Sequence, residues 1–388
     1  MWFSNKNNAL FDKRLVLIVI GIVVISSLIY FFYDQEKITV KSYAEQITSK
    51  CNTDVDCTID ALKNVAENED KKTLLTIFTD IVSHYEQSLP NCHHKAHHLG
   101  KVLYTFIDDL PLALSYADQT CSGAVYHAVV ETFFEMQYLD DVDPEDIDIT
   151  VICPTNPENS YALERWQCLH GVGHGLSKIY DHDVFLAVKR CEEFESGLEQ
   201  VSCFKGTFME NIIQYKKIGD GTFSNDDIMF PCNTVDAKYA PACYHYHTNY
   251  LFKQKGGSIS QTFNECDKVV PEEFVKYCYY GMGRELTIRF FENMEISIQV
   301  CKMGSSEYHS YCFAGMVMAL VNIRGIDQGF EFCKIIPEEN KEGCYDGLGK
   351  WLHMLYFSEA ERTDGCSKAE EAYYEVCNKA NLESLKLM

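Results

Sequence analysis

From Cys191 to the C-terminus the sequence repeats one unit: a cysteine, ten or eleven residues, a second cysteine, then usually an aromatic, a variable residue and a glycine opening an apolar run. The pairs are Cys191/Cys203, Cys232/Cys243, Cys266/Cys278, Cys301/Cys312, Cys333/Cys344 and Cys366/Cys377, and an irregular forerunner, Cys153/Cys168, opens CLHG. Near-equal spacings of this kind make the chain a set of copies of one structural unit. From Cys168 to Cys377 successive second cysteines lie 35, 40, 35, 34, 32 and 33 residues apart. That period suits a pair of antiparallel helices with two short connections. One such pair cannot bury its apolar face alone, so neighbouring pairs must stack. The expected fold is therefore all-α: disulfide-stapled helical-hairpin repeats forming an α-solenoid, with a closed α/α toroid as the alternative.

The chain holds 18 cysteines, an even number without CxxC pairs, which points to disulfides and an oxidising compartment rather than to zinc. The pairs left over are Cys51–Cys57 and Cys92–Cys121. Each repeat disulfide closes a short loop and pins one helix-to-helix corner. Glycine recurs after the second cysteine at Gly171, Gly206, Gly281, Gly315 and Gly347, where the missing side chain lets helices approach closely.

Residues Leu15 to Tyr33 contain no charge, are long enough for a membrane helix, and follow Lys13 and Arg14. The positive-inside rule then leaves residues 1–14 in the cytoplasm, makes 15–33 a transmembrane signal anchor, and exports the rest. The expected localisation is a single-pass protein of the cell membrane with an extracytoplasmic C-terminal domain. Residues 34–90 read as a juxtamembrane helical linker and 91–388 as the repeat domain. An acidic insertion interrupts the latter at 140–160. The net charge is −23, and residues 1–33 carry three basic and one acidic residue, so the remainder stands at about −25. Such a surface repels nucleic acid and suits solubility or the gathering of cations.

Alignment on the second cysteine places His98, His127, His174, Met209, Asn249, Arg284, Met318 and Lys350 six residues on. Two residues on stand His94, Gly123, His170, Lys205, His245, Tyr280, Ala314 and Asp346. Residues four apart share a helix face. Stacked copies would therefore bring His94, His98, His127, His170 and His174 to a common centre, with Glu131 and Glu135 on the face of His127. Nitrogen and oxygen donors of this kind suit iron, zinc, manganese or copper. In an enzyme the metal would activate water or oxygen, with Glu131 or Glu135 as the base. His93 and His97 lie on an adjoining face, suited to supporting the ligands or touching substrate. Further along the row His245, His247, Asn249, Glu210 and Arg284 suggest a polar substrate groove in which Arg284 reads a carboxylate or phosphate.

The general design resembles that of di-iron hydroxylases built from HEAT-type repeats. The adjacent His-Glu dyads of those enzymes are missing here, so the resemblance is architectural and carries no substrate. The sequence thus predicts a membrane-anchored, metal-binding helical repeat protein, possible chemistry being metal-dependent hydrolysis or oxygenation. The alternatives are metal capture and delivery, or a non-enzymatic scaffold holding a protein partner on its concave face.

Overall fold

The computed structural model describes residues 43–52, 54–87, 92–117, 120–154, 162–219, 221–290, 293–356 and 358–383. The regular elements among them are all helical. The chain divides into two compact units, residues 1–90 and 91–388. In the first, α1 (Val55–Asn68) and α2 (Lys71–Gln87) bury Leu62, Val65, Leu75, Ile77, Phe78 and Ile81 against each other. Asp54 starts α1 by accepting from the Cys57 amide at 3.0 Å, which satisfies one of the free amides of the first turn.

The second unit runs α3 (Cys92–Ile107), α4 (Leu110–Ser115), α5 (Thr120–Leu139), α6 (Ala162–Ile179), α7 (Val184–Arg190), α8 (Gly197–Ile218), α9 (Ala240–Gln254) and α10 (Ile259–Cys266). It continues through α11 (Val275–Arg289), α12 (Met294–Cys301), α13 (His309–Arg324), α14 (Ile326–Ile335), α15 (Glu338–Leu355), α16 (Glu359–Cys366) and α17 (Tyr374–Glu383). Long helices α3, α5, α6, α8, α9, α11, α13, α15 and α17 each pack on the next, and each short helix packs on the two long ones it joins. The short helices end at or beside the first cysteine, and the second cysteine lies in the first turns of the long helix that follows. The disulfide thus spans the corner. Side-chain caps at Asp183, Ser196, Ser258 and Ser358 mark where helices restart. Between α8 and α9 no regular helix forms over 221–239, and this irregular corner accounts for the one spacing of 40.

The structure contains nine disulfides, Cys51–Cys57, Cys92–Cys121, Cys153–Cys168, Cys191–Cys203, Cys232–Cys243, Cys266–Cys278, Cys301–Cys312, Cys333–Cys344 and Cys366–Cys377. Two parts of the expected architecture need correction. In a solenoid each repeat touches only its neighbours. Here α5 also packs on α13 and α6 on α15, so the row folds back on its own interior members. Neither the α-solenoid nor the ring of hairpins stands; what remains is an all-α, disulfide-rich helical repeat fold. The second correction concerns the membrane. No helix among the described residues is long and apolar enough to cross one. The segment 15–33 lies outside the described residues. The signal anchor, the membrane as partner and the single-pass localisation therefore drop out of the account.

The acidic segment is more packed than a solvated insertion would be. Over 140–154 it buries Ile147, Ile149, Ile152 and Cys153. Arg190 donates to the Ile147 carbonyl at 2.8 Å and Arg165 to that of Cys153 at 2.7 Å.

Candidate ligand-binding site

The site begins with glycines. A Cβ on Gly173 of α6 would stand 2.0 Å from the Cys203 carbonyl oxygen of α8, and one on Gly206 of α8 would stand 2.0 Å from that of His170. Gly283 and Gly315 repeat this pairing between α11 and α13, each within 1.9 Å of a facing carbonyl. The glycine three residues after one second cysteine therefore meets the glycine five residues after the preceding one. Backbones this close bring the side chains that flank the crossing, at plus two and plus six, into mutual contact.

Those side chains form a continuous chain of rings across the inner face. His93 and His97 of α3 lie 5.5 and 6.3 Å from His127 of α5, centroid to centroid. His127 lies 4.8 Å from His170 and 5.9 Å from His174, both on α6. His170 reaches Tyr246 of α9 at 6.4 Å, passing over α8, and His97 reaches His174 at 6.4 Å, passing over α5. Side chains that meet across an intervening helix show that this face is concave. The chain continues through His245 and Tyr246, 4.6 Å apart, to Tyr280, with the Arg284 guanidinium 5.0 Å above the Tyr246 ring.

Burial sets the charge state of these rings. His127, His170 and His245 are at most 5% exposed, and desolvation holds each imidazole well below its usual pKa, with neighbouring imidazoles or cations adding to the effect. His93 is pushed down to about 4, first by burial and then by His97. Several of their polar atoms are satisfied: His127 Nε2 contacts Gln167 Oε1 at 2.6 Å, His174 Nδ1 contacts Glu210 Oε2 at 2.8 Å, and His93 Nδ1 contacts the Cys121 carbonyl at 2.8 Å. Four ring nitrogens are not. His127 Nδ1, His170 Nδ1, His174 Nε2 and His245 Nε2 are buried without a hydrogen-bond partner.

At one end the row becomes ionic. Lys101 and Lys178 both hold Glu131 and Glu135, with Lys101 Nζ at 2.5 Å from Glu131 and 3.1 Å from Glu135. His97 Nε2 stands 3.0 Å from the other Glu131 oxygen. Burial works against the Glu131 charge, but His97 and the two lysines outweigh it and keep the carboxyl well below the usual range. Beside this group lies a recess of about 430 Å³ lined by Glu135, Tyr138, Lys178, Asp181, Glu210 and Gln214, among others. At the other end Glu285 accepts from Asn249 at 2.6 Å and from Arg284 at 2.8 Å.

The sequence-derived residues fall on both sides of this line. His127, His170, His174, His245, Asn249, Glu210 and Arg284 share the inner face. His98 is exposed and does not join it; the side chain of His94 lies outside the described residues. The α3 contribution comes instead from His93, His97 and Lys101, one residue earlier in register. α3 also differs in its cross-link, Cys92 bonding to Cys121 of the next long helix rather than to a corner cysteine. His247 points away, donating from Nε2 to the Ile228 carbonyl at 2.6 Å and stacking on Phe223. Lys101, Lys178, Lys205, Tyr246 and Tyr280 were not in the sequence-derived set. Glu131 and Lys178 occupy the same position ten residues after the second cysteine, so opposite charges in one column were a readable signal.

The metal-centred reading is withdrawn. Among the described residues no group of three or more His, Cys, Asp or Glu side chains is placed to hold a metal ion. The physical reason is that two ammonium groups, Lys101 and Lys178, already occupy the carboxylates a cation would use. The metal-dependent hydrolase or oxygenase falls with that cluster. The Glu131 carboxylate, held well below its usual range, is a weak proton acceptor. The protein partner on the concave face also lacks support. No protein-family model, curated protein or solved structure matches this chain.

Proposed function

We propose that the second unit is a non-enzymatic binding protein whose inner helical face takes a small polar ligand carrying an acidic group. The observation that carries this reading is the set of four buried, unpartnered ring nitrogens on His127, His170, His174 and His245. A buried polar atom left unpaired costs roughly 1–3 kcal/mol, so four along one face call for a ligand or water that pairs them. Half-buried His93, His97, Lys205, Tyr280 and Arg284 border these atoms and give access from solvent. Arg284 uses one nitrogen on Glu285 and lies on the Tyr246 face, which leaves further donors of its planar fork for a carboxylate or phosphate. The cationic side chains at this end, against a chain of net charge −23, favour an anion there.

The test is a thermal-shift series with glycolate, a small carboxylate, against ethylene glycol, its uncharged counterpart. Glycolate at a hundred times its Kd should stabilise the fold by about 2.7 kcal/mol, and ethylene glycol should not. Arg284→Met should abolish the shift without lowering the melting temperature of the free chain by a comparable amount. Equal shifts with both compounds, or a glycolate shift that survives in Arg284→Met, would overturn the reading.

A further inference from the structure

Lys205 is a lysine without an acid. It projects from α8 at the plus-two position of the inner face, between the columns of α6 and α9. Among the described residues no carboxylate lies within ion-pair reach of its amine, whereas Lys101, Lys178 and Lys341 each hold one or more. Its neighbours are the Trp166 ring, whose centroid is 5.2 Å from Nζ, and the imidazoles of His170 and His245. Burial, unrelieved by any counter-charge, pulls its pKa down to about 8. A surface lysine near 10.4 has roughly two orders of magnitude less neutral amine at physiological pH. The side chain nevertheless keeps partial exposure, so a small molecule can reach it.

We propose that Lys205 captures the carbonyl group of a small oxo acid as a covalent imine, the acid group of the ligand lying toward Arg284. This inference rests on the anion-binding reading above and adds the substrate class to it. The balance is simple. The neutral Nζ adds its electron pair to the carbonyl carbon, forming a C–N bond and a carbinolamine. Proton transfer to the hydroxyl then expels water and leaves the C=N double bond, with no oxidant or reductant consumed. His170 Nδ1 and His245 Nε2, both unpaired, are placed to carry that proton. A desolvated amine among basic neighbours is the arrangement that activates a lysine for this chemistry.

The experiment uses the full chain, glyoxylate as the carbonyl probe and cyanoborohydride to reduce the imine to a stable secondary amine. Peptide mass spectrometry then locates the carboxymethyl group. Lys205 should be labelled at least about tenfold faster than exposed Lys238 and Lys368 at neutral pH, and Lys205→Met should remove that label while leaving the slow ones unchanged. Even labelling across the exposed lysines, with Lys205 no faster, overturns the proposal in the wild-type chain without recourse to a variant. The glycolate shift separates the two readings. A glycolate shift without Lys205 labelling leaves anion binding standing and removes the imine. Selective Lys205 labelling without a glycolate shift removes the anion subsite and keeps the reactive lysine. Neither effect removes both.

Discussion

At the scale of the residue, burial lowers the pKa of six imidazoles of the second unit, and this has a consequence for stability. His93 and His247 are depressed to about 4, and His97, His127, His170 and His245 are also lowered, desolvation being the largest cause in each. In the unfolded chain each would titrate near 6.5. Between about 6.5 and about 4 the unfolded chain therefore binds protons that the native chain refuses, so stability is full above 6.5 and falls as the pH drops. His93 and His247 each contribute up to about 1.4 kcal/mol per pH unit in that window, and the other lowered imidazoles act in the same direction. Glu131 and Glu210, both lowered in the native chain, add to the loss only below about 4.5. Thermal melts from pH 7.5 to pH 4.5 should show the melting temperature falling steadily from about 6.5 downward. A flat profile to pH 5 would mean that the imidazoles are not desolvated as described.

At the scale of the element, the glycine crossings hold the site together. Gly173→Ala, Gly206→Ala and Gly283→Ala each force a methyl against a facing carbonyl of the neighbouring helix, and backbone is the neighbour least able to yield. Overpacking of this kind costs about 1–3 kcal/mol or more. Gly197 at the start of α8 has nothing within 4 Å of its added Cβ, so Gly197→Ala should be neutral or stabilise by about 0.4–1 kcal/mol. Urea unfolding of the four variants checks the contrast. This scale is also where sequence and structure part. The helical repeat and the inward columns of α6, α8, α9 and α11 follow from spacing alone, because every copy there hangs from the same corner cross-link. The register of α3 does not: His93 and His97 reach the inner face, and His98 is exposed. Nor does the pairing of Glu131 with Lys101 as well as Lys178, since only Lys178 shares its column.

At the scale of the whole molecule, the repeats are pinned locally and joined distantly. The corner disulfides close loops of 11 to 15 residues between cysteines from Cys153 to Cys377, each worth roughly 3 kcal/mol by the chain-entropy estimate. Replacing both Cys301 and Cys312 by alanine should cost about that amount in urea unfolding, since the pair is fully buried and the alanines leave a small void. A loss under about 0.5 kcal/mol would show that the corner is held by packing alone. The packing of α5 on α13 and of α6 on α15 fixes the curvature of the row, and that curvature lets side chains from helices two apart meet over the one between them. The four unpaired ring nitrogens are a product of this arrangement, and the account depends on what pairs with them. The most direct measurement is a high-resolution crystal structure of the chain grown with glycolate. The account predicts the carboxylate on the Arg284 guanidinium, with the ligand hydrogen-bonded to His170 Nδ1 or His245 Nε2. An inner face holding only ordered water at saturating glycolate, or imidazoles turned to pair with one another, would contradict it.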